Sequence, residues 1–158
     1  MKRIGVISDS HGDRGRMELA LMKMEAEGRL DCLIHCGDVA SDADFIGGNI
    51  LQVAAVRGNC DGWMVDAPDE MALDIAGIHF FITHGHRYGV KSDTGTLAEI
   101  AANRGAQICC FGHTHIPHCE YAHGVLMLNP GACYGTGSCA LILADERGGF
   151  DVRMLNRD

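Results

Sequence analysis

Five short apolar runs, each followed at once by polar residues, constrain the fold of this chain more than any other feature. The runs are residues 4–7, 32–34, 53–56, 78–82 and 108–111. Short apolar runs bounded by Gly are typical of buried strands. Because ligands in open α/β sheets bind beyond the carboxyl ends of the strands, the pattern predicts that residues far apart in sequence meet at one edge of a sheet.

The polar residues that follow these runs are of types that bind metal ions. They are Asp9-Ser10-His11, Gly37-Asp38, Gly58-Asn59-Cys60-Asp61, His84-Gly85-His86 and Gly112-His113-Thr114-His115. Carboxylates, an amide and imidazoles together suit transition metals rather than Ca²⁺. Each Asp-x-His or His-x-His pair points to one side of the chain if the backbone stays extended, and three such pairs carry far more weight than one. The glycines permit sharp turns and close backbone approach.

Length and charge limit the class of protein. The chain has 158 residues, and we expect residues 1–158 to form a single domain. Its formal net charge of −8 argues against bulk binding of nucleic acid, which needs a basic face. The charge does not exclude a small phosphate-ester substrate, because bound metal ions can reverse the local field.

The eight cysteines do not follow a disulfide pattern. Several lie in strand-like runs, where Cys behaves as a small apolar residue. The sequence contains no Cys-x-x-Cys pair, which would indicate a zinc knuckle. We expect the first strand to start at Lys2 with no secretory leader before it, and we expect no membrane span, because no apolar run is long enough for one. We therefore expect reduced thiols in a cytoplasmic protein.

The pattern along the chain predicts alternating strands and helices at first, and hairpins later. In the first half it predicts strands at 2–8, 31–36 and 52–56, and helices at 14–28, closed by Gly28, and at 42–50, capped by Ser41. This βαβαβ order is typical of a parallel sheet with helices on its faces.

In the second half, the turn residues Ala76-Gly77 predict a hairpin of strands 70–75 and 77–83. The later elements expected are a helix from Asp93 or Thr94 to Asn103 ended by Gly105, a strand at 107–111, and antiparallel strands at 118–122, 124–128, 139–144 and 149–155. The whole predicts a two-sheet α/β sandwich with mixed sheets flanked by helices.

The polar motifs, in this order and approximate spacing, closely resemble those of the calcineurin-like metallophosphoesterases. The match is best to the small bacterial and archaeal YfcE-type branch, and it includes Val56-Arg57-Gly58-Asn59-Cys60-Asp61 and Asn129-Pro130-Gly131. The resemblance extends over nearly the whole chain. It implies the metallophosphoesterase fold and the hydrolysis of phosphate esters, with phosphodiesters favoured.

The resemblance also implies a centre of two metal ions. The first ion would be held by Asp9, His11, Asp38 and His115, and the second by Asp38, Asn59, His84 and His113. Two ions about 3.5–4 Å apart, bridged by Asp38, clamp the oxygens of an in-line displacement, and hydroxide between them is the predicted nucleophile. The ions expected are divalent transition metals, with Mn favoured and Fe, Ni, Co or Zn as alternatives.

Residues beside these ligands are candidates for catalysis and substrate contact. Asp38, Asn59 and His86 are the predicted catalytic residues, and Arg57, His86 and Cys60 the predicted substrate-binding residues. Many members of the wider family carry His at the position of Cys60, where it is thought to protonate the leaving group. A thiol is a poor donor to an alkoxide. We therefore expect a preference for phosphodiesters, or for leaving groups that depart without help.

Several of these residues have two interpretations. Arg57 either contacts the substrate phosphate, for which its geometry is suited, or forms a structural ion pair. Asp61 is expected near the site, where it orients Cys60 or a loop amide. Trp63 and Met64 either line the cleft or belong to a dimer interface, and a homo-oligomer is left open.

Structural and non-enzymatic interpretations are also considered for parts of this sequence. His35 and His79 lie inside apolar runs and are expected to be core or sheet histidines rather than ligands. A second function, of another class, is a protein-interaction scaffold on the same fold. A scaffold has no need of every carboxylate, amide and imidazole, so the complete set of ligands favours the enzyme.

Overall fold

Two five-stranded sheets form the centre of the fold, and the computed structural model describes residues 1–38, 42, 52–62 and 67–155. The strands are β1 (Lys2–Ile7), β2 (Cys32–His35), β3 (Gln52–Ala55), β4 (Glu70–Ile75), β5 (Ile78–Thr83), β6 (Ile108–Cys110), β7 (His118–Ala122), β8 (Val125–Asn129), β9 (Cys139–Ala144) and β10 (Phe150–Leu155). The helices are α1 (Arg14–Met24), α2 (Gly95–Asn103) and a 3₁₀-helix at His86–Tyr88. The predicted two-sheet α/β sandwich is confirmed.

The first sheet has the strand order β10-β9-β1-β2-β3. Strands β1, β2 and β3 are parallel, and Ile7 pairs with His35, which pairs in turn with Ala55. Because the carboxyl ends of the three strands are level, the loops that follow them leave the sheet side by side. The predicted helix at 42–50, with Ser41 as its cap, lies outside the described residues except for Asp42, and so do Trp63 and Met64.

The second sheet has the order β4-β5-β6-β8-β7, in which β5, β6 and β8 are parallel. The hairpins β4–β5 and β7–β8 turn through Ala76-Gly77 and His123-Gly124, all with φ between 51° and 79°. Such turns match the twist of the flanking strands. The predicted hairpin at Ala76-Gly77 is confirmed, whereas β8, expected to be antiparallel, also has a parallel neighbour in β6.

Most of the central strands are buried on both faces, which explains their nearly continuous apolar sequences. In β5, Ile78, Phe80 and Ile82 belong to the core between the sheets, whereas Phe81 packs with the buried residues of α2. Helix α1 covers the outer face of the first sheet. Among the described residues there is no helix with the length and apolar character needed to cross a membrane.

One local prediction, the end of helix α1, was wrong. Helix α1 ends at Met24 rather than at Gly28, because the Arg3 guanidinium binds the carbonyl oxygens of both residues at 3.1 Å. Gly28 also lacks the positive φ that a glycine C-cap needs. His79 lies on β5 and is the expected sheet histidine, with an exposed side chain that pairs with Asp74 close to the hairpin turn of β4 and β5.

A chain of hydrogen bonds that starts at the buried His35 supports the loops after β1 and β2. The N–H of Gly37 donates to His35 Nδ1 at 3.0 Å, so the ring proton is on Nε2, which lies 2.8 Å from Ser10 Oγ. The Ser10 hydroxyl donates to Asp42 Oδ2 at 2.7 Å, and the N–H of Gly12 donates to the same oxygen at 2.7 Å. His35 is fully buried, as expected, and burial lowers its pKa to about 4.

The low pKa of His35 predicts sensitivity to acid. The unfolded chain takes up this proton near pH 6.5 and the folded chain near pH 4, so the unfolded state binds more protons between the two values. The free energy of unfolding therefore falls as the pH drops from about 6.5 towards 4. Urea unfolding at a series of pH values should show this slope.

We expect the His35→Asn variant, although less stable at pH 7, to lose part of that slope. The matched control is His123→Asn, because His123 is exposed and Asn tolerates its positive φ of 51°. Equal slopes in the His35 variant and the unmodified protein would contradict the assignment.

Candidate metal centre

The loops that follow five strands meet between the two sheets. The residues they bring together are Asp9 and His11 after β1, Asp38 after β2, Asn59 after β3, His84 after β5, and His113 and His115 after β6. Because β1, β2 and β3 belong to one sheet and β5 and β6 to the other, the prediction of a single sheet edge was wrong. The residues meet where the carboxyl ends of two facing sheets come together.

Asp9, His11 and His115 form a first cluster, in which one potential ligand atom of each lies within 4.8 Å of the others. His115 Nε2 is 3.2 Å from Asp9 Oδ1, and His11 Nε2 is 3.8 Å from Asp38 Oδ2. The two carboxylates are buried, while His11 is half-buried and His115 is exposed. These four side chains are the set expected around the first ion.

A second cluster forms around Asn59. Its Oδ1 lies 2.9 Å from His84 Nε2 and 3.1 Å from His113 Nδ1. His84 Nε2 is also 3.3 Å from Asp38 Oδ2, so the carboxylate of Asp38 faces both clusters. These four side chains are the set expected around the second ion.

Three properties of the clusters fit divalent ions. Donors that share one ion at about 2.0–2.2 Å lie about 3 Å from one another, and the donors around Asn59 have this spacing. Among the described residues, Asp9 Oδ1 is buried without a hydrogen-bond partner, which is costly unless a cation binds it. The N and O donors also suit Mn, Fe, Co, Ni or Zn.

Hydrogen bonds hold one oxygen of each buried carboxylate and leave the other facing the clusters. Asp9 Oδ2 accepts from Ser8 Oγ at 2.6 Å and from the N–H of His113 at 3.2 Å, while Oδ1 faces the first cluster. Asp38 Oδ1 accepts from the N–H of Cys60 at 2.8 Å, while Oδ2 faces both clusters. Both carboxylates are therefore oriented by the protein itself.

A hydrogen bond on the side of the ring away from the clusters also orients His84. Its Nδ1 donates to the carbonyl oxygen of Cys36 at 2.8 Å, so Nε2 faces the clusters. Burial lowers the pKa of His84, but the hydrogen bond to Asp38 and the charges of Asp9 and Asp38 outweigh it and raise the pKa. A cation that binds here would take the place of the His84 proton.

Asp38 remains ionised at neutral pH. Burial raises its pKa, but hydrogen bonds from His84 and from the N–H of Cys60 more than offset burial, so the pKa lies well below the usual range. The pKa of Asp9 is raised, mainly by burial. The two carboxylates thus have different environments within one site, and Asp38 supplies the more stable negative charge.

The backbone at the predicted ligands adopts a conformation that L-residues rarely take. In the described part of the chain, seven non-glycine residues have positive φ, and five of them are Asp9, His11, Asp38, His113 and His115, with φ from 46° to 71°. Asp and His tolerate this region better than most residues. The extended backbone assumed for the Asp-x-His and His-x-His pairs is therefore absent, and His113 and His115 lie in different clusters.

Asp61 and Gly58 bring the loops after β2 and β3 together. Asp61 Oδ2 accepts the N–H of Gly58 at 2.9 Å and the N–H of Asp38 at 3.2 Å, so Asp61 orients loop amides, one of its two expected roles. A Cβ atom on Gly58 would lie 2.1 Å from Asp38 Oδ1 and 2.5 Å from Asp38 N. Glycine is required at this position by the close approach of the two loops.

His86, predicted to act in catalysis or substrate binding, lies beside the second cluster. It follows Gly85, whose φ is 101°, and begins the 3₁₀-helix. Its ring centroid is 5.4 Å from that of His84 and 6.0 Å from that of His113. Within the described residues its Nδ1 is buried without a hydrogen-bond partner, and burial is the first cause that lowers its pKa.

Cys60 and Arg57 lie on the loop after β3. Cys60 is exposed, and its Sγ is 3.8 Å from Asn59 Nδ2. The Nε and Nη2 atoms of Arg57 donate to Asp69 Oδ1 at 3.0 and 2.9 Å. A structural ion pair, one of the two roles considered for Arg57, is thus present, and contact with a substrate phosphate stays a prediction.

Two residues around the centre had no role assigned from the sequence. Asn129 Nδ2 donates to Thr114 Oγ1 at 2.9 Å and thereby supports the loop after β6. The ring centroid of Tyr134 is 5.9 Å from that of His11. The backbone N–H of Tyr134 donates to the carbonyl oxygen of Asp9 at 3.0 Å. Turn residues signal a loop around Tyr134, but nothing in the sequence shows that this loop folds back onto β1.

The close approach at Gly58 predicts a position-specific defect. We expect Gly58→Ala to destabilise the protein by about 1–3 kcal/mol and to lower its metal content, because the added methyl group displaces Asp38. The control Gly62→Ala lies in the same loop, with open space where its Cβ would stand, and should stay within about 0.5 kcal/mol. Urea unfolding and elemental analysis after Mn loading measure both effects, and a Gly58→Ala protein that resembles its control would contradict the geometry.

Several known proteins are similar to this chain in sequence. Residues 1–145 match the family model described as calcineurin-like phosphoesterase superfamily domain. The probable metallophosphoesterase YsnB of Bacillus subtilis is 38% identical over 127 residues, which cover 80% of this chain and 72% of YsnB. Phosphodiesterase MJ0936 of Methanocaldococcus jannaschii is 32% identical over 84% of this chain and 85% of its own. Phosphodiesterase YfcE of Escherichia coli is 27% identical over 84% of this chain and 79% of its own.

Solved structures share the fold. A predicted phosphoesterase from Streptococcus pneumoniae has a TM-score of 0.77 at 28% identity, covering 99% of this chain and 90% of that one. Vacuolar protein sorting 29 from Cryptosporidium parvum has a TM-score of 0.76 at 17% identity, covering 99% and 98%, which shows a common fold alone. By its sequence and its fold, this chain belongs to the calcineurin-like phosphoesterase superfamily.

Proposed function

We propose that this chain is a phosphodiesterase that uses two divalent transition-metal ions to hydrolyse small phosphodiesters. The observation that carries the proposal is the position of Asp38 Oδ2, which lies 3.3 Å from His84 Nε2 and 3.8 Å from His11 Nε2. A carboxylate shared by two clusters is what a pair of bridged ions needs. Membership of the phosphoesterase superfamily and relatives named phosphodiesterase support the reaction class.

Seven side chains would hold the ions in this proposal. Asp9, His11, Asp38 and His115 would bind one ion, and Asp38, Asn59, His84 and His113 would bind the other. Bound ions would polarise the phosphoryl oxygens and lower the pKa of water. We favour Mn, with Fe, Ni, Co and Zn as alternatives, and N and O donors suit all of these ions.

The protein's own contribution would be a fixed arrangement of charge. The hydrogen bonds to Asp9 Oδ2 and Asp38 Oδ1 hold both carboxylates before substrate binds, so little reorganisation is needed during the reaction. His86 would donate a hydrogen bond to the substrate from its position beside His84. Arg57 would contact the phosphate only while sharing its guanidinium with Asp69.

Cys60 supports the choice of phosphodiesters. Burial, followed by the charge of Asp38, raises the pKa of its thiol, so the group is protonated at neutral pH. An S–H group is nevertheless a weak hydrogen-bond donor. Substrates whose leaving group is a good one, or departs without protonation, would suit this site better than alkyl monoesters.

Removal of one buried ligand tests the metal centre. We expect Asp9→Asn to lower the bound metal from two ions per chain and to reduce diester hydrolysis by more than about 100-fold, because it removes the charge that faces the first cluster. Asp74→Asn, at an exposed carboxylate on β4, is the matched control. Elemental analysis and hydrolysis of bis(p-nitrophenyl) phosphate with Mn measure both effects. Full metal content and activity in Asp9→Asn would defeat the proposal.

The identity of residue 60 predicts the ratio of monoester to diester hydrolysis. We expect Cys60→His to raise hydrolysis of a monoester relative to a diester by about 10²-fold, the lower end of general-acid catalysis, because an imidazolium can protonate the leaving group. Cys60→Ser is the control that changes the side chain without adding an imidazole. Equal monoester-to-diester ratios in the His and Ser variants would rule out the role assigned to this position.

The alternative function is a protein-interaction scaffold on the same fold. The fold shared with vacuolar protein sorting 29 is what favours it. The enzyme remains our proposal because the complete ligand set would have no purpose in a scaffold. Hydrolysis assays across Mn, Ni, Zn and Mg separate the two, since no hydrolysis with any of these metals would favour the scaffold.

Three further expectations stay predictions. They are a single domain over residues 1–158, a cytoplasmic location, and a small phosphate ester as the partner that the site binds. A homo-oligomer is left open, and Trp63 and Met64, its candidate contacts, lie outside the described residues.

A further inference from the structure

Tyr134 contacts the first cluster in two ways, although no motif of the metal centre includes it. Its backbone N–H donates to the carbonyl oxygen of Asp9 at 3.0 Å. Its ring centroid lies 5.9 Å from that of His11, and the two ring planes are 82° apart. Aromatic rings attract one another in such an edge-to-face arrangement. Tyr134 thus touches two of the residues that would bind the first ion.

The imidazole of His11 is held differently from that of His84. The Nδ1 atom of His84 donates to the carbonyl oxygen of Cys36 at 2.8 Å, whereas Nδ1 of His11 has no hydrogen-bond partner in the part of the chain that the structure describes. A histidine that binds a metal ion is almost always oriented by a hydrogen bond at its other nitrogen. Another contact must therefore limit the rotation of the His11 ring if its Nε2 is to face Asp38.

Two rings flank that of His11. One belongs to His115, whose centroid is also 5.9 Å away, but His115 is itself a predicted ligand with a half-exposed side chain. The other belongs to Tyr134. Of these two rings, only that of Tyr134 comes from outside the predicted ligand set.

The loop between β8 and β9 holds Tyr134 in place. The N–H of Cys133 donates to the carbonyl oxygen of Ser8 at 2.8 Å, and the N–H of Gly135 donates to Asp13 Oδ2 at 2.9 Å. Tyr134 and both of its neighbours in the sequence are therefore bonded to the segment that follows β1. The ring of Tyr134 is presented to His11 from a fixed backbone.

The ring of Tyr134, rather than its hydroxyl group, makes the contact. Tyr134 is 56% exposed, and within the described residues its hydroxyl group has no hydrogen-bond partner. The contact with His11 therefore consists of packing between rings, which a phenylalanine would provide equally well.

We propose that Tyr134 is a positioning residue of the metal centre, whose ring packs against the imidazole of His11 and keeps Nε2 directed towards Asp38. The proposal rests on the proposed function, because it requires an ion at His11. It assigns to Tyr134 an effect on one ion of the two, since His84 and His113 lie in the other cluster. Without the ring, the imidazole would rotate more freely and the ion at the first cluster would bind less tightly.

Removal of zinc from the loaded protein tests this role without requiring hydrolysis. The protein loaded with Zn²⁺, which is diamagnetic, is titrated with a chelator while the imidazole signals of His11 and His84 are followed by NMR. We expect Tyr134→Ala to bind the ion at His11 about 10-fold less tightly, the lower end of the effect of residues that orient metal ligands. The ion at His84 should be affected less. Because the variant keeps the backbone N–H that donates to Asp9, it removes the ring alone.

Two further variants connect the effect to the ring of Tyr134. Tyr134→Phe keeps the ring and should bind zinc like the unmodified protein. Tyr121→Ala is the matched control, because Tyr121 is 66% exposed and lies on β7, outside both clusters. It should leave both affinities unchanged. The NMR spectra also show directly that each variant is folded.

An unchanged affinity at His11 in Tyr134→Ala would overturn the proposal. Equal losses at His11 and His84 would do so as well, because they would indicate a general disturbance of the centre. Equal losses in Tyr134→Phe and Tyr134→Ala would assign the effect to the hydroxyl group and not to the ring. Absence of zinc at His11 in the unmodified protein would overturn the proposal together with the metal centre.

The outcome is separable from that of the proposed function. A protein that loses affinity at His11 in Tyr134→Ala but hydrolyses no diester retains the inference about Tyr134 and loses the phosphodiesterase. A protein that hydrolyses diesters and keeps its affinity at His11 in Tyr134→Ala does the reverse.

Discussion

Asp38 is the residue on which the rest of the centre depends. Its carbonyl oxygen accepts the N–H of Ser10 at 3.0 Å, and its own N–H donates to Asp61 at 3.2 Å. Its Oδ1 accepts the N–H of Cys60, so Oδ2 faces His84. One residue thus joins the loops after β1, β2 and β3 to His84, a predicted ligand that follows β5 of the other sheet. Any shift of Asp38 would change both clusters together. An added Cβ atom on Gly58 would lie 2.1 Å from Asp38 Oδ1 and would therefore disturb both.

The buried strands of the fold offset the free-energy cost of the strained backbone at the predicted ligands. Five predicted ligands hold a backbone conformation that costs about 1 kcal/mol or more each. The strands that precede them are buried on both faces, between the sheets and under α1 or α2. The rigid ends of these strands fix the positions from which the strained loops start. The strain is therefore located at the edge of the sandwich, in the loops that carry the predicted ligands, and not within the core.

The sequence predicts well what depends on local patterns. Apolar runs identify the central strands, and the order of the polar motifs identifies the candidate ligands. The backbone conformation at Asp9 and His11 could not be predicted in this way, because it is selected by contacts with the loop after β2. The end of α1 is likewise set by Arg3, which is distant in sequence and binds the carbonyl oxygen of Met24, the last residue of the helix.

The same reason explains the residues that sequence patterns missed. Tyr134 lies beside His11 because the chain after β8 returns to β1, where the N–H of Cys133 donates to the carbonyl oxygen of Ser8 at 2.8 Å. The chain of hydrogen bonds from His35 through Ser10 also joins residues that are far apart in the sequence. Local patterns identify the side chains that can do chemistry, whereas long-range contacts decide how they are held.

The charge of Asp38 also has a consequence for the chemical durability of the centre. Peroxide and similar oxidants attack thiolates far faster than thiols. Burial raises the pKa of Cys36 and Cys110 well above the ordinary value, and burial together with Asp38 raises that of the exposed Cys60. Burial, to which the charges of Asp9 and Asp38 add, therefore favours the protonated thiol at Cys36 and Cys60, the form that oxidants attack slowly and that soft metal ions bind poorly.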